Sequence, residues 1–410
     1  MKKELNVIDI GTSTVCTAIA KCDKFNPKNK SNNIKILGCG YRMTKGLTYG
    51  ALTSIEDLEG ILLKTIADAE KESQKHIKHV IIALPSWATE SKLVDNTINI
   101  GSTPIDETHI NKLISFSNSD PNIIHVFPIS YAVDSSDGIQ DPIGLLGNQL
   151  SAVFNVVYVK SGLINNLRNC LSQCGIVIDN FIYSSYASAL SVALSDEMQS
   201  GIMLIDMGGS STTIVCISNK QLLYTGIIPV GGSHITRDIS VVLRTDKTSA
   251  ERLKILHGVS YSNNLPTHNE EQILVSSVDE FGEEHIQNVS KSTLDLIISS
   301  RLDEIFELIK QHIEKNNIDE MYYQNIIITG GGSQVASLNE YIKTKNLFFG
   351  SSVRLGKPIC VTGENDFVNT ASFATAAGTI LYELGNEKYN KQVKSSGFLN
   401  KIVSIFKKGI

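Results

Sequence analysis

Two short strings in this chain place an aspartate near the end of an apolar run and follow it with glycine and hydroxyls. The first is Asp9-Ile10-Gly11-Thr12-Ser13-Thr14; the second is Asp206-Met207-Gly208-Gly209-Ser210-Ser211-Thr212-Thr213. Backbone N–H groups and hydroxyls in such turns cradle anionic oxygens. A neighbouring carboxylate suits hydrated Mg²⁺, which takes oxygen ligands and keeps its waters. One Asp-x-Gly turn alone is commonly a surface connection. A connection has no reason to recur with its aspartate 197 residues later, so the pair reads as a two-sided phosphate and metal site. A third element is Gly330-Gly331-Gly332 after the apolar run Asn325–Thr329, with a helix expected to open at Ser333 or Gln334. Glycines there let backbone approach a nucleotide. Glu251 and Lys254, three apart on an expected helix, share a face and could pinch an adenine or ribose edge, or form a solvated ion pair. Gly356-Lys357 is not a P-loop, because Pro358 stands where a Ser or Thr should hold magnesium.

The elements that must position these groups follow from the pattern. Leu5–Ile10 and Val15–Ala20 read as a β-hairpin around the first turn, and 201–216 repeats it. A helix is expected from Ser54, as N-cap, to about Lys75, and a buried strand over Val80–Leu84 stopped by Pro85. Residues 86–159 form a separate mixed segment, read as a self-contained interaction module. Helices are expected over 161–175, 187–194, 248–257, 289–315 and 371–384, and a polar linker over 385–397. A half-chain repeat of this kind implies a duplicated α/β domain with the two hairpins facing across a cleft.

The chain has 410 residues, 42% hydrophobic and 19% charged, which excludes wholesale disorder and collagen-like or disulfide-scaffold classes. No run approaches the ~18 uninterrupted apolar residues of a transmembrane helix. Seven cysteines without a CxxC pair read as reduced thiols of a cytosolic chain. Net charge is −5, which argues against nucleic acid as the main partner. Six lysines and one glutamate over 386–410 give that stretch +5, leaving −10 for the rest. Within it, Phe398, Leu399, Ile402, Ile405 and Phe406 make an apolar stripe when wound as a helix, with Lys401, Lys407 and Lys408 at its polar edges. A basic, aromatic-bearing amphipathic helix after a linker is the pattern of an interfacial membrane anchor, although such a stripe can also dock on its own chain.

Together these elements resemble the actin, Hsp70 and sugar-kinase superfamily. Within it the chain is similar to the bacterial FtsA cell-division family. The stretches that carry the likeness include His125-Val126-Phe127-Pro128-Ile129, Asp141-Pro142-Ile143-Gly144-Leu145, Tyr186-Ala187-Ser188-Ala189, Pro229-Val230-Gly231-Gly232-Ser233 and Arg354-Leu355-Gly356-Lys357-Pro358. The resemblance implies an α/β fold of duplicated actin-like (ribonuclease H-like) domains around a nucleotide cleft, with an FtsA-type inserted subdomain and a C-terminal amphipathic helix. Half 1 would comprise 1–85 with 160–198 and 366–384, the insert 86–159, and the half 2 core 199–255 with 324–365. A smaller subdomain would span 256–323, the linker 385–397 and the membrane helix 398–410. ATP and Mg²⁺ are the implied cofactors. Gly11, Thr12, Ser13, Gly208, Gly209 and Ser210 would hold phosphates, and Asp9 and Asp206 the magnesium waters. Gly330, Gly331, Gly332 and Ser333 would lie along the adenosine, with Glu251 and Lys254 at the base and ribose. Asn180 stands where actin has a water-positioning glutamine, and is equally a turn residue, so at most a slow ATPase is implied. The implied role is a self-associating protein that tethers the FtsZ ring to the cytoplasmic face of the inner membrane and recruits later division proteins. A PilM-like pilus-assembly adaptor and a small-molecule kinase are the alternatives on the same fold.

Overall fold

The computed structural model describes residues 3–22, 34–48, 51–117, 120–160, 162–259, 271–278, 283–348 and 350–395. Its first half is built on a six-stranded sheet in the order Val177–Tyr183, His79–Leu84, Lys3–Ile10, Thr14–Cys22, Ile34–Met43, Val361–Thr362. The second half carries a five-stranded sheet in the order Gln221–Ile228, Thr212–Ser218, Ile202–Met207, Asn325–Thr329, Ser352–Leu355. The two aspartate strands occupy equivalent places. Each pairs antiparallel with its own hairpin partner, Asp9 with Cys16 and Asp206 with Thr213. Each also pairs in parallel with a later strand, Asp9 with Ala83 and Asp206 with Thr329. The sequence repeat is therefore a repeat of topology.

Local chemistry explains where the helices start. Ser54 caps helix Ile55–Ser73, its hydroxyl accepting from the Asp57 N–H at 3.2 Å, and Leu58, Leu62 and Ile66 face the sheet. Helix Ala374–Ser395 lays Ala376, Ala377 and Ile380 over the other face of the first sheet, among Val7, Ala18 and Ile36. It crosses helix Ser184–Val192 at close range. An added Cβ on Gly378 would lie 1.6 Å from the Ala187 carbonyl, so only glycine fits.

The segment between His79–Leu84 and Leu163–Gln173 is a domain with its own four-stranded sheet, in the order Thr89–Asn99, Gln149–Val159, Ile123–Val133, Ser136–Ile139. With helix Glu107–Ser117 it encloses a core of Ile98, Leu113, Leu150, Phe154 and Val156. Its entry and exit are adjacent, since Thr89 pairs with Val159. It is less self-contained than the sequence implies. Val157 packs with Ile182 and Tyr183 of half 1 and Leu222 of half 2 in one cluster, and Asn155 donates to the Leu222 carbonyl at 3.3 Å. His125 Nε2 accepts from the Tyr183 N–H at 3.0 Å, its ring lies 5.1 Å from Phe127 and 5.4 Å from Tyr382, and burial pulls its pKa down to about 3.

Three expectations differ from the structure. The boundary at 255/256 cuts helix Lys247–His257, which packs with Gly232–Val242, hairpin Gln272–Val278/Glu284–Ser290 and helix Lys291–Lys315 in one core, so these form a unit. The stretch read as a linker over 385–397 is helical through Ser395, where a helix already nucleated upstream propagates cheaply through Glu, Lys and Gln. No regular helix opens at Ser333. Residues Gly331–Gln334 make one tight 3₁₀ turn, Ser337 turns left-handed at φ 60°, and the helix begins at Leu338. The anchor segment 398–410 lies outside the described residues.

Candidate functional site

A cleft of about 110 Å³ opens between the halves, lined by both hairpins, by Gly330 and Gly331, and by side chains at the carboxyl ends of the parallel strands. That is where ligands collect in α/β sheets. The two turns close identically: Gly11 N–H bonds to the Thr14 carbonyl at 3.1 Å and Gly208 N–H to the Ser211 carbonyl at 2.9 Å. They also touch each other. Ser210 N–H donates to Thr12 Oγ1 at 3.0 Å, and the Ser13 and Ser233 hydroxyls bond at 2.8 Å. A Cβ on Gly209 would sit 1.9 Å from Ser13 Oγ, so that glycine lets the turns meet.

Asp9 and Asp206 lie at the floor of this cleft. Burial, reinforced by the charge of Asp206, pushes Asp9 up to about 8. Burial also raises Asp206, opposed by hydrogen bonds from Ser188, at 3.0 Å, and Ser185. Ser188 bonds in turn to Thr375 at 2.9 Å, so the two crossing helices hold the carboxylate in place. Gly330, at φ 88°, brings the glycine turn after Thr329 against Asp206, where a Cβ would be 2.4 Å from Oδ1. Two buried like-charged carboxylates fit a hard divalent cation, which would neutralise both. Among the described residues no group of three or more His, Cys, Asp or Glu gathers. Ser210 Oγ is buried, with no hydrogen-bond partner among the described residues, and Ser210 does not line the cleft.

Glu251 and Lys254 do come together on helix Lys247–His257. Lys254 Nζ is 2.7 Å from Glu251 Oε2, 3.0 Å from Thr236 Oγ1 and 3.2 Å from the Gly232 carbonyl. Its ammonium is buried, which lowers its pKa, and Glu251 offsets only part of that shift. The pair does not line the cleft itself. It stands one layer behind Gly232, whose Cβ would meet Gly332 at 2.9 Å. Ser333 closes the glycine turn, its hydroxyl donating to the Gly330 carbonyl at 2.8 Å. Asn180 does not line the cleft; its Oδ1 accepts from Phe181 N–H at 2.9 Å. The membrane residues Phe398, Leu399, Lys401, Ile402, Ile405, Phe406, Lys407 and Lys408 lie outside the described residues.

Sequence reasoning missed one wall. Ser86, Trp87, Ser184, Ser185, Ser372 and Thr375 all line the cleft, and Ser86 and Ser185 hydroxyls bond at 2.9 Å. The available signal was Pro85, which ends a parallel strand beside the Asp9 strand.

Comparison with known proteins agrees with this architecture. A family model described as "Cell division protein FtsA" matches residues 203–378, and one described as "SHS2 domain inserted in FTSA" matches 88–158. Together they span more than half of the chain. The FtsA protein of Borreliella burgdorferi is 28% identical over 410 residues, covering 98% of this chain and 96% of that one. That of Agrobacterium fabrum is 27% identical over 390 residues, covering 92% and 86%. Among solved structures, a PilM–PilN type IV pilus biogenesis complex aligns with TM-score 0.61 at 16% identity, covering 93% of this chain and 98% of that one. Spiroplasma citri MreB5 bound to AMPPNP aligns with TM-score 0.55 at 15% identity, covering 95% and 98%. These likenesses show the fold, an actin-like α/β architecture with an inserted SHS2 domain.

Proposed function

The chain belongs to the FtsA family of cell-division proteins, and from that we propose that it is a Mg-ATP-dependent, self-associating adaptor between the FtsZ ring and the membrane. The observation that carries the nucleotide part is the pair of equivalent aspartate hairpins meeting face to face across one cleft. Gly11, Thr12 and Ser13 would hold phosphate oxygens from one side and Gly208, Gly209 and Ser210 from the other, through N–H and hydroxyl donors. Asp9 and Asp206 would orient a magnesium ion's waters. Bound there, the metal would neutralise the polyphosphate and the two carboxylates together. Gly330 to Ser333 would back the adenosine, and the Lys254–Glu251 pair would stiffen the floor beneath its base and ribose. A bound nucleotide ties both halves to one ligand, which favours a single closed arrangement for assembly. The proposal assigns at most slow ATP turnover.

Attachment is assigned to 398–410, at the cytoplasmic face of the inner membrane at the division site. Among the described residues no helix is long and apolar enough to cross a membrane. Burying Phe398, Ile402, Ile405 and Phe406 at roughly 1.5–3 kcal/mol each, less the cost of ordering the segment, gives a modest single-tail affinity. Self-association, by presenting many tails at once, converts that into firm attachment. The test is co-sedimentation with anionic liposomes, with and without FtsZ, for the full chain, for a truncation ending at Gly397, and for Phe406→Glu. The full chain should carry FtsZ into the pellet. Either altered form should stay in the supernatant with Mg-ATP affinity intact. Equal pelleting of all three would rule out the tail as anchor.

A further inference from the structure

Trp87 is the only tryptophan in the chain; it is among the residues lining the cleft that also holds Asp9 and Asp206, and its half-buried ring packs against the half-1 core. Its indole N–H is buried and has no acceptor among the described residues. A buried donor without an acceptor is a standing cost, removed when an acceptor arrives. Its place in the fold says which acceptor. Asp9 and Ala83 are parallel partners, so Pro85-Ser86-Trp87 leaves the sheet beside Gly11-Thr12-Ser13, on the half-1 wall. The adenosine turn Gly330–Ser333 is on the opposite half. A nucleotide with its base there points its outer phosphate toward the wall that carries Trp87. The next residue opens the inserted domain. The Ala88 carbonyl accepts from Lys160 N–H at 2.8 Å, and Thr89 pairs with Val159, so Trp87 adjoins the neck where both chain ends of that domain meet.

We propose that the Trp87 indole N–H donates to the outermost phosphate of the bound nucleotide, so that this phosphate fixes the neck of the inserted domain. The inference rests on the ATP reading of the cleft. An N–H to phosphate oxygen bond is charge-assisted and among the stronger protein hydrogen bonds.

Because the chain has a single tryptophan, growing a tryptophan auxotroph on 3-benzothienylalanine replaces this one side chain, keeping its shape and exchanging N–H for sulfur. Calorimetry with Mg-ADP and Mg-AMPPNP on the full chain should show unchanged ADP affinity and an AMPPNP affinity roughly tenfold weaker. Hydrogen exchange along Thr89–Asn99 should slow with AMPPNP only in the natural chain. A second measurement needs no loss of the donor. With 5-fluorotryptophan, the single ¹⁹F resonance should move with AMPPNP and stay near its empty position with ADP. Equal affinity changes for both nucleotides, or a resonance indifferent to AMPPNP while calorimetry shows it bound, would overturn this contact and leave the ATP reading standing. An unmodified chain that binds neither nucleotide would overturn the ATP reading and this inference with it.

Discussion

Asp9 keeps its proton to about pH 8 in the folded, metal-free protein, whereas an unfolded aspartate releases it near pH 3.9. The group's pKa is raised on folding, so the stability it contributes is complete at low pH and is lost as pH rises through about 8. In chelator the unfolding free energy should therefore fall between pH 6.5 and 8, by up to about 1.4 kcal/mol per pH unit for one proton, with the thermal midpoint falling alongside. Asp206→Asn removes the neighbouring charge, so its pH slope should be shallower and its Mg-ATP affinity at least tenfold weaker; an unchanged affinity would remove Asp206 from the site. Gly209→Ala tests the closed hairpins in a different way. Its methyl group collides with Ser13 and Thr12, so it should hold the turns apart and weaken Mg-ATP binding while the unfolding midpoint stays near the parent value. These residues were legible in the sequence because the pattern that identifies them is local and occurs twice. Trp87, Ser185 and Ser372 were not, because their place at the cleft depends on parallel pairing and helix crossings between segments distant in sequence.

At the scale of elements, the crossing of Ser184–Val192 with Ala374–Ser395 decides how Asp206 is held, through Ser188 and Thr375. Gly378→Ala forces these backbones apart and should destabilise by about 1–3 kcal/mol, with a measurable loss of nucleotide affinity. Gly60→Ala is the contrasting case. It lies in helix Ile55–Ser73 with nothing within 4 Å of the added carbon, and should stabilise by about 0.5–1 kcal/mol without touching binding. Denaturant unfolding of the two variants beside the parent checks both signs. The Ile55–Ser73 helix was readable because its N-cap and apolar period lie within its own residues. The turn after Thr329 was not. A helix is expected to open right after its glycines, at Ser333 or Gln334, but contact with Met207 and Gly208 holds the segment in a tight turn, which no local propensity encodes.

For the whole molecule, the inserted domain is a third body resting on both halves. The sequence placed its limits at 86–159 because Pro85 and the Lys160-Ser161-Gly162 turn are visible punctuation, and the matched SHS2 residues, 88–158, fall inside those limits. Its shared base was not visible, since Val157, Ile182 and Leu222 meet only in three dimensions. Deleting 86–159 should therefore uncover Ile182, Tyr183 and Leu222 and yield a body with a lower unfolding midpoint and a tendency to aggregate; a deletion as stable and soluble as the parent would show that base to be dispensable. The pairing of Ile34–Met43 with Val361–Thr362, and the cover given by Ala374–Ser395, also set an order of assembly during synthesis. At roughly 5–20 residues per second, some 15–60 s separate the two partners of that strand pair on the ribosome. The insert has all its strands long before then, and the Asp206 sheet lacks nothing once Ser352–Leu355 is made. The half that starts the chain is thus the last to close, and its apolar sheet face waits for a helix the ribosome has yet to make. A nascent chain arrested before Val361 should present that face to chaperones while its second half already resists protease.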